Sequence, residues 1–300
     1  MTRGDTAPVD LDALLARCTF PAPGTAVTAA VSGGPDSLAL LVLAVASGCE
    51  VTAVHVDHGL RAGSAREADV VAAAAEALGA AWRAEHVVVA PGPNLEARAR
   101  AARRAVLPDD ACTGHTLDDR AETVLVNLLR GAGTTGLAAL RPGTRHPILA
   151  LRRSETAALC AARGLAPVED PSNTDARFVR NRVRHEVLPL LAEVAGRDLV
   201  PVLARQAGLL ADDADLLGTL AAEVDPTDAS ALDAAPAPLA RAAVRAWLRP
   251  TADGQPPSAA AVERVRAVAA GDAVATEVPG GWRVRRSRGR LHLDPPSAPS

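Results

Sequence analysis

The 300-residue chain has no lysine, so all 32 of its Lys-plus-Arg cations are arginines. With its richness in alanine and proline, this reads as base composition of the gene rather than as function. Aromatic residues are scarce at 2%: Phe20, Trp82, Phe178, Trp247 and Trp282. The four cysteines, Cys18, Cys49, Cys112 and Cys160, form no C-x-x-C pair. Zinc-knuckle, iron–sulfur and thioredoxin readings therefore lack ligands, and a reduced protein with buried thiols is expected. The longest apolar run, Leu38 to Ala46, is too short to span a bilayer. The opening MTRGDTAPVD has no apolar core and is not read as a secretory signal. The expected location is cytoplasmic. The formal net charge of −3 argues against a uniformly basic surface, while leaving local arginine clusters free to meet phosphate.

What is present is an alternation of strand-like and helix-like segments from Ala26 to Leu129. Such alternation predicts βαβ units and a mostly parallel sheet, so the fold class is α/β. Ligands of such sheets sit beyond the carboxyl ends of the strands. Those ends carry SGGPDS (32–37), VDHGLR (56–61) and GHTLDD (114–119), three polar clusters expected to share one pocket. Helices are expected from Leu188 to Leu220, then a small C-terminal α/β unit with a helix near Ala259–Ala270 and a hairpin turning at Pro279-Gly280-Gly281. The expected domains are residues 1–187, a helical connector 188–225, a small domain 226–294 and a disordered tail 295–300.

In the first cluster, Gly33 and Gly34 let backbone amides turn towards an anion, and the following helix adds its positive end. Ser32 and Ser37 supply hydroxyls, Pro35 opens the helix, and Asp36 can hold magnesium through oxygen. An ordinary strand–helix turn uses the same residue types. A P-loop would need a lysine that this loop lacks. In VDHGLR, His58 and Arg61 follow a strand end as phosphate contacts or as an exposed turn. In NLEARARAAR (94–103), Glu96, Arg100 and Arg103 recur at helical spacing, either solvated or reaching a nucleotide. In GHTLDDRAET (114–123), Asp119 and Glu122 share one helix face and suit a magnesium ion or an ammonium, unless they merely answer the helix macrodipole. In DPSNTDARFVRNRVRHEVLP (170–189), Arg177, Arg180, Arg182 and Arg184 form a patch that is phosphate-facing or paired with Glu186 and Asp175. In the tail, Arg283 and Arg285 share a strand face, as an edge guard or as an RNA contact.

The S-G-G-x-D-S loop resembles that of the PP-loop, or N-type, ATP pyrophosphatases. The motifs together, in this order and spacing from about Ala26 to Leu293, resemble the tRNA(Ile)-lysidine synthetase family. The resemblance implies ATP and magnesium, free lysine, and a minor tRNA(Ile) with a CAU anticodon. The wobble cytidine would be adenylated with loss of pyrophosphate, and lysine would then displace AMP from carbon 2. It implies that Ser32–Ser37 bind ATP, that Asp36 and Arg103 take catalytic parts, and that Asp119 and Glu122 bind lysine; His115 is either a catalytic proton carrier or a strand-end histidine with a structural hydrogen bond. Arg180, Arg184, Arg283 and Arg285 would hold tRNA, and a homodimer is among the assemblies considered. A PP-loop tRNA thiolase and a non-catalytic nucleotide- or RNA-binding module are the alternatives; the first would ordinarily use cysteine pairs.

Overall fold

The computed structural model describes residues 9–57, 64–87, 98, 102, 105–168, 175–252 and 257–296. His58, Arg61, Glu96, Arg100, Arg103, the turn at 170–174 and the last four residues lie outside the described residues. The helices are α1 (Leu11–Leu15), α2 (Pro35–Ala46), α3 (Ser64–Ala77), α4 (Leu117–Leu129), α5 (Thr134–Leu137), α6 (Arg153–Ala162), α7 (Val179–Arg182), α8 (Leu188–Ala195), α9 (Val200–Ala221), α10 (Ala229–Ala234), α11 (Ala237–Trp247) and α12 (Ala259–Ala270). The strands are β1 (Ala26–Ala30), β2 (Glu50–Asp57), β3 (Ala81–His86), β4 (Cys112–Thr113), β5 (Ala275–Val278), β6 (Trp282–Ser287) and β7 (Arg290–Asp294). The chain divides into two compact units, 1–210 and 211–300.

In the first unit, four parallel strands lie in the order β3-β2-β1-β4. The expected α/β alternation is thus present. Helix α2 is apolar on every side, and Ser37 through Ala44 are all buried. A helix hydrophobic all round belongs inside a protein. Leu38, Leu40, Leu41 and Leu43 are fully enclosed, each contributing about 1.5–3 kcal/mol by its burial. This core fixes the start of α2 against the sheet. Helix α6, which the alternating pattern does not single out, packs along α2. Beyond α7 the chain passes through one π-helical turn, Val183–Val187, before α8.

The second unit buries Val262, Val265 and Val268 of α12 against Val278, Val284 and Leu291 of an antiparallel sheet. The hairpin expected at Pro279–Gly281 is present, with Val278 paired to Trp282. Gly280 is required there, because a Cβ would lie 2.3 Å from the Thr251 carbonyl oxygen. A second turn, with positive φ at Arg288 and Gly289, adds β7 to the sheet.

Candidate active site

The site is built at the carboxyl edge of the parallel sheet. β1 runs into the loop Ser32–Ser37, whose hydroxyls close on each other. Ser37 Oγ accepts from the Ser32 amide at 3.1 Å, lies 3.2 Å from Ser32 Oγ, and donates to the Gly34 carbonyl at 2.9 Å. Gly33 takes φ +85°, a left-handed conformation suited to glycine. Its carbonyl accepts from the Val168 amide at 2.9 Å. Buried His55 on β2 anchors the loop's entrance, its Nδ1 3.0 Å from the Val31 carbonyl oxygen. Gly34 is the N-cap of α2 and offers no side-chain cap, and the start of the helix borders the pocket.

The second cluster follows β4. The Gly114 backbone lies so close to α2 that a Cβ would sit 2.8 Å from the Asp36 carbonyl oxygen and 3.0 Å from Ser37 Cα. Here the GHTLDD segment locks onto the SGGPDS loop. His115 follows, its Nδ1 2.7 Å from Thr113 Oγ1 and its ring edge-on to His146. Thr116 and Asp119 then form a capping box on α4. Asp119 Oδ2 accepts from the Thr116 amide and hydroxyl, both at 2.9 Å. One carboxylate oxygen therefore holds the helix start, while Oδ1 faces the site.

Asp36, Ser32, Ser37, Gly114, His115, Asp119, Arg153 and Arg184 line one cavity of about 450 Å³, within the usual range for small-molecule sites. The loop and Asp119 thus share a pocket, as expected of the first and third strand-end clusters; His58 to Arg61 of the second lie outside the described residues. Their convergence brings three carboxylates and three guanidiniums together. Arg153 donates through Nη1 to Glu122 and through Nη2 to Asp119, each at 3.0 Å, and its Nε lies 3.4 Å from Asp36 Oδ2. Arg180 Nε donates to Glu122 at 3.0 Å, and Arg184 reaches both Glu122 oxygens at 2.7 and 3.0 Å. Thr156 donates to Asp36 Oδ1. Arg152 grips Asp118 with Nε and Nη2 at 3.0 and 3.1 Å, and also pairs with Asp198.

Burial pushes the Asp36 carboxyl above its ordinary range, against the opposing pull of Thr156 and Arg153. Burial acts in the same sense on Asp119. There Arg153, the Thr116 amide and Arg180 together outweigh it, holding that carboxyl below its ordinary range. Burial pushes the thiols of Cys18, Cys112 and Cys160 up to about 11, which keeps them protonated and weakly nucleophilic.

Two sequence expectations change here. Glu122, expected to offer its charge to an ammonium, is 0% exposed and surrounded by three guanidiniums. Arg180 and Arg184, expected on a patch facing tRNA phosphate, turn inward because this buried carboxylate needs compensating charge. Arg177 and Arg182 carry the exposed pairing, with Asp175 and Glu186. In the second unit, Arg283 is exposed on β6, and Arg285 donates to Asp294 at 2.8 Å. Arg153 and Thr156 were not among the expected site residues. Their only local signal is Arg-Arg-Ser-Glu-Thr, an unremarked helix start.

The loop also bears on magnesium. This ion binds through one or two carboxylates together with phosphate oxygens and water. Asp36 supplies one carboxylate at the pocket, and no group of three or more His, Cys, Asp or Glu suited to a metal occurs among the described residues. The donor set fits an ion arriving with a nucleotide, not an all-protein cage.

A PP-loop domain family model matches residues 9–191, and a TilS substrate binding domain model matches residues 228–292. The chain is 42% identical over 302 residues to tRNA(Ile)-lysidine synthase of Nocardia farcinica, covering 91% of this chain and 93% of the relative. It is 46% identical over 234 residues to the enzyme of that name from Mycolicibacterium paratuberculosis, covering 73% of each chain. Among solved structures, the U34-tRNA thiolase NcsA of Methanococcus maripaludis aligns with a TM-score of 0.52 at 16% identity, over 66% of this chain and 76% of that one, a likeness of fold. With both family models matched and relatives aligned over most of their length, the chain belongs to the tRNA(Ile)-lysidine synthase family.

Proposed function

We propose that this protein joins lysine to carbon 2 of the wobble cytidine of a CAU-anticodon tRNA(Ile), consuming ATP. The observation that carries the reading is the shared pocket. A glycine loop without lysine opens α2 on one side, and a carboxylate oxygen of Asp119 faces the same space. In the first step, the cytosine oxygen on carbon 2 attacks the α-phosphorus, and pyrophosphate leaves. The amides and hydroxyls of Ser32–Ser37 hold the departing diphosphate. Asp36 would hold magnesium, which when bound would draw off negative charge from the phosphates. In the second step, the ε-amine of lysine attacks carbon 2 and AMP leaves. That amine must first shed a proton, since its reference pKa is about 10.4. Asp119 meets the ammonium through Oδ1, and Glu122 keeps the surrounding guanidiniums in place. Arg103 is assigned to the nucleotide, and His115 to proton handling beside the pocket. Exposed Arg283 and its neighbour Arg285 are assigned to the RNA backbone. The protein is expected to act in the cytoplasm, and a homodimer stays within the proposal.

The cysteines favour this reading over a thiolase. They form no C-x-x-C pair in the sequence, and the raised thiols of Cys18, Cys112 and Cys160 make poor sulfur carriers. The test mixes protein, ATP, magnesium, labelled lysine and tRNA(Ile) transcripts with a CAU anticodon. Label should enter the RNA only when the wobble base is cytidine. Transfer of sulfur, or no ATP-dependent product at all, would overturn the proposal.

A further inference from the structure

The acid cluster holds as many cations as anions: Asp36, Asp119 and Glu122 against Arg153, Arg180 and Arg184. An incoming ammonium therefore meets a site whose charge is already balanced. Arg180 and Arg184 both close on fully buried Glu122. Arg153 differs. It alone of the three spans all three acids; like Arg184 it lines the pocket, and its contact with Asp36 is a 3.4 Å one.

The backbone of Arg153 is pinned while its side chain crosses between the two halves of the pocket. Its amide donates to Asp118 Oδ2 at 2.9 Å, and the adjoining Arg152 grips the same carboxylate. Arg153 is also the first residue of α6. A cation at a helix N-terminus is unfavourably placed with respect to the helix dipole. The acids compensate for this, and a phosphate would do so as well.

Resting on the function proposed above, we infer that Arg153 is an exchangeable counter-ion. Without substrates it fills the cation position between Asp119 and Asp36. When the lysine ammonium takes that position, the guanidinium turns onto the phosphates held by Ser32–Ser37. The exchange keeps both halves of the pocket balanced: the acids trade one cation for another, and the anionic nucleotide gains one. A guanidinium suits this task because its fork matches carboxylate and phosphate oxygens alike. Arg153 is thereby both a competitor of lysine and a ligand of ATP.

The two roles predict opposite effects of a single change. Calorimetry would measure ATP–magnesium and lysine binding separately for the wild type, Arg153→Ala and Arg153→Lys, with steady-state KM values measured alongside. Arg153→Ala should weaken ATP binding about tenfold or more, the scale of one lost charge-assisted hydrogen bond, while lysine binding stays equal or tightens. Arg153→Lys should recover part of the ATP affinity and restore competition with lysine. Equal weakening of both ligands would assign Arg153 a purely structural role and overturn the inference, as would unchanged ATP affinity. Thermal unfolding of each variant separates these results from misfolding, and Arg153→Lys, which keeps the positive charge, carries the test if the alanine variant does not fold. Lysidine formation by the wild type is read independently, so the inference can fail while the proposed function stands.

Discussion

Asp36 and Asp119 share a pocket but respond to pH in opposite senses. Asp119 has a folded pKa below its unfolded value, so its ionised form contributes stability above about pH 4, the ordinary carboxylate range. That contribution disappears as pH falls through the folded value. Asp119→Asn should therefore flatten the acid limb of a stability-against-pH curve, measured by urea unfolding between pH 2 and 6. Asp36 has the opposite sign. Its folded pKa is raised, so ionisation costs stability as pH climbs from the unfolded value through the folded one. Asp36→Asn should leave the protein at least as stable at pH 7 while abolishing tRNA-dependent pyrophosphate release. A marked fall in stability would show that the carboxylate is structural. Glu122 matters through charge balance: its removal leaves three guanidiniums with only Asp119 and Asp36 to compensate them. Glu122→Ala should cost about 3–5 kcal/mol of unfolding free energy, the scale for breaking a buried ion pair. A loss below 1 kcal/mol would place compensating charge elsewhere.

At the scale of elements, the site depends on how closely the segment after β4 passes the start of α2. Gly114→Ala would drive a methyl into the backbone of Asp36 and Ser37. The expected cost is about 1–3 kcal/mol, with weakened ATP binding, measured by thermal unfolding and calorimetry. Gly218 in α9 has nothing within 4 Å of its Cβ position. Gly218→Ala should instead stabilise by about 0.4–1 kcal/mol and leave ATP binding unchanged. Much of this layer was legible in the residues. Alternation exposes β1, α2, β2, α3 and α4, because a parallel sheet writes short apolar strands between longer helical runs. The turn glycines Gly33, Gly280 and Gly281 are legible because few residue types fit their positive φ. Helix α6 is not, since Arg153–Ala162 is short, alanine-rich and only weakly two-faced. The importance of Arg153 follows from what α4 and α7 place opposite it, 31 and 27 positions away at Glu122 and Arg180. No local pattern carries that information. The same holds for Arg180 and Arg184: spacing shows a basic patch but not that a buried carboxylate draws it inward.

At the scale of the molecule, each of the two compact units has its own buried core among the described residues, and the proposal gives them different tasks. The nucleotide loop and the acids belong to the first, and the arginine-bearing β6 to the second. Replacing Arg283 and Arg285 together by alanine should weaken tRNA binding and reduce its salt dependence by up to two counterions. ATP binding to the free protein should not change; an unaltered salt slope would remove this strand from the RNA interface. The lysine-free composition matters again in the acid cluster, where every counter-cation is a guanidinium. Guanidiniums stay protonated at any pH the fold tolerates. None of them can serve as a base, and Asp119, with its lowered pKa, is a poor one. Asp36, the acid whose carboxyl is raised, is assigned to magnesium, so the proposed acceptors of the nucleophile's proton are the imidazole of His115 or water. If water takes it, turnover should speed up in alkaline solution along the titration of the substrate alone, and His115→Ala would leave that profile in place.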